Sequence, residues 1–183
     1  MNGASDQTMP GSKIGTSGGP LYLRDFMAFR DKTMEQKIQE LADREEIREL
    51  IARYSHKIAH GYSVDDLFTD DGVFILRVPG KPVREIKSRQ AIAALYAKWV
   101  PGRVDSPKPM SHNELLVIHG DEAAGLCSNE VRMTADGQSL IGSAYFEDQF
   151  RRENGRWRFT VRDSTFFHLV PIQQGWASPE AAV

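Results

Sequence analysis

The chain has 183 residues, 26% of them charged and 40% hydrophobic, with a formal net charge of −2. That is ordinary globular composition, long enough for one domain or one domain plus a tail, so folding requires no metal or disulfide staple. It offers no basic footprint for nucleic acid, no apolar run near the ~20 residues that span a bilayer, and one cysteine, Cys127, which excludes an internal disulfide.

Residues 1–20, "MNGASDQTMPGSKIGTSGGP", are rich in Gly, Ser, Thr and Pro and read as a flexible tail. They lack the basic and apolar regions of a secretory signal, which together with the cysteine usage leads to the expectation of a cytoplasmic protein. Residues 21–34 form a short amphipathic extension in which Leu21, Leu23, Phe26, Met27 and Phe29 are expected to pack on the domain or on a dimer partner. The main domain is expected over 35–175, followed by a tail over 176–183.

A long helix is predicted from Thr33, where Thr33 and Gln36 have the spacing of a capping box. Its apolar residues Ile38, Leu41, Ile47, Leu50, Ile51, Tyr54 and Ile58 are assigned to one buried face. Tyr54 lies on that stripe and His56 about 200° around from it. Gly61 ends the helix. A turn is expected at Asp70-Asp71-Gly72 and a strand over 73–78. A second helix, opened by Ser88, carries Ile92, Leu95, Tyr96 and Trp99 and stops at Pro101.

From Asn113 onward the pattern is β. Turns fall at "HGDEA", "TADGQ" and Asn154-Gly155, the last two being hairpin signals. In the last strand Trp157, Phe159 and Val161 alternate with Arg156, Arg158, Thr160 and Arg162, giving one apolar and one polar face. Helices first and strands after define an α+β domain, a curved antiparallel sheet wrapped on N-terminal helices in a cone. A sheet curled in this way commonly encloses a hydrophobic hollow, and hollows take small molecules.

The stretches "DREEIRELIARYSHKIAHG", "LFTDDGVF", "SRQAIAALY", "SHNELLVIHGDEAAG" and "YFEDQFRRENGRWRF" resemble, in order and spacing, the SnoaL-like branch of the nuclear transport factor 2-like superfold. Within that branch the chain is similar to cofactor-free dehydratases of the bile-acid 7α-dehydratase and scytalone dehydratase kind, and to related dehydrochlorinases. The resemblance implies no cofactor, a catalytic tyrosine at Tyr54 and a catalytic histidine at His112. The family's aspartate, five residues after its tyrosine, corresponds to Ala59.

Elimination of water needs a base beside a carbonyl and an acid for the departing hydroxyl, and a histidine can serve as either near neutral pH. His112, at the start of a strand, is the expected base and Tyr54 the hydrogen-bond donor. Asp163 is the carboxylate expected to orient His112, on the premise that it shares a face with Phe159 and Val161. Asn129, Ser128 and His60 are candidate substrate-binding residues, with Phe74, Trp99, Phe146, Phe167 and Trp176 as apolar lining. His56 and His60 lie four apart on the polar side of the helix without a companion carboxylate, so no metal site is expected. The resulting expectation is a cofactor-independent lyase or isomerase acting on a hydrophobic cyclic molecule, assembled as a homodimer or homotrimer. The alternatives are a non-catalytic small-molecule binder of the same fold, to which Ala59 points, and an oligomeric interaction domain.

Overall fold

The computed structural model describes residues 32–97, 101 and 105–175; Trp99, Trp176 and the segment 21–31 lie outside them. Helix α1 runs Met34–Ala59 and opens on the expected capping box. Gln36 N–H donates to the Thr33 hydroxyl at 3.2 Å, and Thr33 N–H donates to Gln36 Oε1 at 2.9 Å. The helix is capped at His60, and Gly61 then takes φ 77, a left-handed exit that suits glycine. Ile47, Leu50, Ile51, Tyr54 and Ile58 are buried as expected, but Ile38 and Leu41 are exposed. The reason is helical geometry: six residues separate Leu41 from Ile47, a rotation of about 240°, so the two cannot share a face.

A 3₁₀ turn, Asp65–Leu67, leads into β1, Phe68–Arg77. No turn breaks the chain at Asp70-Asp71-Gly72; the strand runs through it with a register irregularity between Phe68 and Val73. Gly72 allows that kink, because a Cβ there would stand 2.9 Å from the Thr69 carbonyl oxygen. A short strand that the sequence pattern did not predict, β2 (Arg84–Lys87), pairs with β1 and precedes α2, Arg89–Tyr96. Ser88 caps α2 by accepting from Ala91 N–H at 3.3 Å.

Four long strands follow: β3 (Lys108–His119), β4 (Glu122–Ala135), β5 (Gln138–Glu153) and β6 (Arg156–Pro171). Positive φ at Gly120, Asp136-Gly137 and Asn154-Gly155 closes the three expected turns. The six strands form one curved, unclosed sheet in the order β2-β1-β6-β5-β4-β3. All pairings are antiparallel except β1 with β6, which is parallel, so the sheet is mixed. Helix α1 packs on β3 and β6, and α2 on β1. The core lies between them, where Tyr54 packs edge-on against Phe68, Tyr96, Phe146 and Phe159.

One irregularity decides which side chains of β6 face inward. Gln149 on β5 pairs with Val161, whereas Phe150 pairs with Phe159, so Thr160 is an extra residue on β6. An inserted residue reverses the alternation beyond it. Trp157 and Phe159 therefore point into the core, and past the bulge Arg162, not Val161, points inward. Asp163 turns to the outer, convex face.

Candidate functional site: a buried arginine–aspartate pair on the concave face

Arg162 has no exposed surface at all. Its register partner on β5 is Asp148, equally buried. Arg162 Nε donates to Asp148 Oδ1 at 3.0 Å and Nη2 to Oδ2 at 3.0 Å, a bidentate fork. The flat guanidinium lies over three aromatic rings, 4.0 Å from the centroids of Tyr54 and Phe146 and 4.4 Å from that of Phe159. Rings of this kind stabilise a cation withdrawn from water, and the carboxylate neutralises it.

The polar surface extends from this pair towards β3. Nη2 of Arg162 also faces the Cys127 sulfur at 3.9 Å on β4. Two residues along β4, a rise of about 7 Å, Asn129 sits on the same inner face and pairs across to Ser111 of β3. The Ser111 hydroxyl meets the Ser55 hydroxyl of α1 at 3.0 Å. The Tyr54 hydroxyl shares a hydrogen bond of 2.8 Å with that of Tyr96. Among the described residues, two buried polar side-chain atoms lack a hydrogen-bond partner: Arg162 Nη1, a donor, and Asn129 Oδ1, an acceptor. Buried polar atoms in proteins are almost always paired, so these two stand apart from the rest of the interior.

Burial sets the protonation states. It pushes the Asp148 carboxyl up to about 6, against the pull of the adjacent guanidinium. Burial, reinforced by the Asp148 charge, raises the Cys127 thiol to about 12, so it is an inert thiol. Burial likewise raises both Tyr54 and Tyr96, which stay neutral phenols. Burial works against the charge of Arg162, but Asp148, with Cys127 and Tyr54, offsets it, so the side chain stays cationic. The interior thus presents a fixed cation with one unpaired NH2 group, an amide and two phenols: groups able to orient and polarise an oxygen.

Of the residues singled out from sequence, Tyr54 and Asn129 belong to this surface, and Phe74 and Phe146 lie in the adjoining core. The others lie elsewhere. His112 follows Ser111, whose hydroxyl points at α1, so its own side chain projects from the convex face, where it is exposed opposite exposed Ser128. Asp163 is bound on that face to Arg77, with Nε to Oδ1 at 2.9 Å and Nη2 to Oδ2 at 2.8 Å. Beside it, burial followed by repulsion from Asp163 raises the Glu147 carboxyl. The expected His112–Asp163 pair does not form: β3 and β6 are three strand spacings apart, about 14 Å. Phe167 is exposed on the convex side against Tyr145, with ring centroids 5.3 Å apart, and His60 is exposed at the end of α1. Ala59 offers only its carbonyl, to Ser106 Oγ at 3.3 Å.

Arg162 and Asp148 were missed because the unbroken alternation assigned Arg162 to a polar face. A signal was nonetheless present: Ala144, Phe146, Asp148 and Phe150 are spaced by two, which puts a carboxylate in an apolar row.

Comparison with known proteins agrees with this architecture. The model of the SnoaL-like domain family matches residues 39–163, and the chain belongs to that family. An NTF2-like protein with a cystatin-like fold from Novosphingobium aromaticivorans is 27% identical, with a TM-score of 0.57 over 83% of this chain and 97% of that one. A putative scytalone dehydratase from the same organism is 14% identical, with a TM-score of 0.63 over 80% of this chain and 99% of that one. A hexachlorocyclohexane dehydrochlorinase, LinA type 2, is 16% identical, with a TM-score of 0.63 over 78% of this chain and 98% of that one. At such identities the last two establish a shared fold. No curated protein matches the chain.

Proposed function

We propose that the protein binds a small, largely apolar cyclic molecule on the concave face of its sheet, with Arg162 and Asn129 reading an oxygen function of that molecule. The observation that carries this reading is the pair of orphaned buried atoms, one donor and one acceptor, on one face of the sheet. A carbonyl oxygen accepts from Arg162 Nη1, and a hydroxyl donates to Asn129 Oδ1. The surrounding aromatic rings supply the apolar contact that ligand sites of this kind use. Leaving either atom unpaired costs about 1–3 kcal/mol, so a ligand that satisfies both is selected over a matched hydrocarbon.

A second reading, a cofactor-independent lyase or isomerase, is favoured by one specific feature. Asp148, with its carboxyl near pH 6, changes charge close to neutrality beside a fixed cation. A carbonyl held at Arg162 would be polarised, which acidifies the C–H beside it, and the Asp148 carboxylate is the ionisable group there that can accept that proton. The related folds of a dehydratase and a dehydrochlorinase are consistent with it. Binding stands ahead of catalysis because the histidine expected as base projects from the other face.

The test is a panel of bicyclic ketones, their β-hydroxylated forms and matched hydrocarbons, read by thermal shift and by mass spectrometry for loss of water. Oxygenated members are expected to raise the unfolding temperature, and the Arg162→Met/Asp148→Leu variant is expected to lose that response. Equal responses to ketones and hydrocarbons, or an unchanged response in the variant, would refute the site. Dehydrated product from the unchanged protein alone selects the lyase reading.

A further inference from the structure

The first three turns of α1 are inverted in polarity. Their inward face carries Glu40 and Asp43, both buried, and their outward face carries Met34, Ile38 and Leu41, which are 70%, 60% and 56% exposed. At 100° per residue these three fall within about 60° of one another and roughly opposite the core face of the same helix. The buried acids are held by partners: Lys32 and Arg44 bind Glu40, while Arg152 at 2.8 Å and the Trp157 indole at 3.3 Å bind Asp43. The helix is therefore fixed in this orientation with three apolar side chains in one stripe turned outward. Further along, the same outer face becomes polar, with Glu45, Arg48, Glu49 and Arg53 exposed. The apolar stripe is confined to the turns nearest the start of the described chain.

We infer that residues 21–29 of the same chain dock on the Met34–Ile38–Leu41 stripe. Three features point to this occupant. Leu21, Leu23, Phe26, Met27 and Phe29 make that segment the apolar part of the chain ahead of the helix. Its attachment is also short. Four residues separate Phe29 from Met34 and reach about 13–14 Å when extended, more than the roughly 10 Å that the stripe spans along the helix axis. Finally, three side chains form a patch far below the ~800 Å² per partner that a stable association of two molecules requires. A covalently attached segment needs no such area, because its effective concentration is in the millimolar range.

Hydrogen exchange on the full-length chain, analysed by peptide, tests this directly. In the unchanged protein the amides of 21–29 should exchange at least ~10-fold more slowly than in a free chain of that sequence. Ile38→Ser, an exposed substitution that leaves the core intact, should remove that protection, and Phe26→Ser should speed exchange across 34–41. Molecular mass in solution should be the same in all three proteins. Free-chain exchange over 21–29 in the unchanged protein would overturn the inference. So would protection that grows with protein concentration, with a fall in mass on Ile38→Ser, because the occupant would then be a second copy.

Discussion

Replacing Arg162 with methionine removes the cation but preserves much of the side-chain volume against Tyr54, Phe146 and Phe159. Asp148 is then a buried carboxyl with no counter-ion, since the guanidinium that donates to both of its oxygens is gone. Breaking a buried pair from one side costs about 3–5 kcal/mol, a large share of a total stability of about 5–15 kcal/mol. The loss should depend on pH in a definite direction. The folded-state pKa of Asp148, about 6, stands above its ordinary value of 3.8. The folded state therefore binds this proton more tightly than the unfolded state does. The stabilisation from that proton is complete below 3.8 and is lost as pH rises through the folded value. Without Arg162 the folded value rises further, so the loss continues above pH 6 at up to about 1.4 kcal/mol per unit. Urea unfolding at pH 5 and pH 8 should thus show Arg162→Met more destabilising at pH 8. The Arg162→Met/Asp148→Leu double variant should lie within about 1 kcal/mol of the unchanged protein, since apolar replacement of a buried pair is often neutral. A destabilisation below 1 kcal/mol at pH 8, or one equal at both pH values, would refute the reasoning.

Tyr54→Phe should cost about 1–3 kcal/mol in the same assay, because the Tyr96 hydroxyl loses its 2.8 Å partner in the core; a change under 0.5 kcal/mol would mean that the two phenols are not coupled. His112→Ala should leave stability within about 0.5 kcal/mol and ligand response unchanged, as expected for an exposed side chain on the convex face. Loss of ligand response in that variant would return His112 to the site. The Cys127 thiol, buried and raised to about 12, should resist a thiol reagent in the folded protein and react at the rate of unfolding.

Much of the fold can be read from local chemistry. Thr33 and Gln36 announce the start of α1, Gly61 its end and Asn154-Gly155 the last hairpin, because each rests on a contact within a few residues. Tyr54 is legible as an inward residue for the same reason: its helical spacing from Ile47, Leu50, Ile51 and Ile58 is kept. The site is not legible in this way. The alternation Trp157, Phe159, Val161 carries no mark of the extra residue at Thr160, and one residue exchanges the roles of Arg162 and Asp163. A carboxylate expected to orient a histidine is thereby turned outward to Arg77, and an arginine expected in solvent becomes the centre of the interior. Bulges arise from how a strand meets its neighbours on both sides, here parallel β1 and antiparallel β5, and a single strand's pattern does not contain that information.

The most direct measurement is a side-chain NMR titration that follows the arginine Nε–H and asparagine amide resonances while a β-hydroxylated bicyclic ketone is added. Binding on the concave face predicts saturable shifts of Arg162 and Asn129, with the resonances of convex-face His112 and Arg77 unmoved. Shifts confined to His112 and Arg77, with Arg162 and Asn129 unchanged at saturation, would contradict the account.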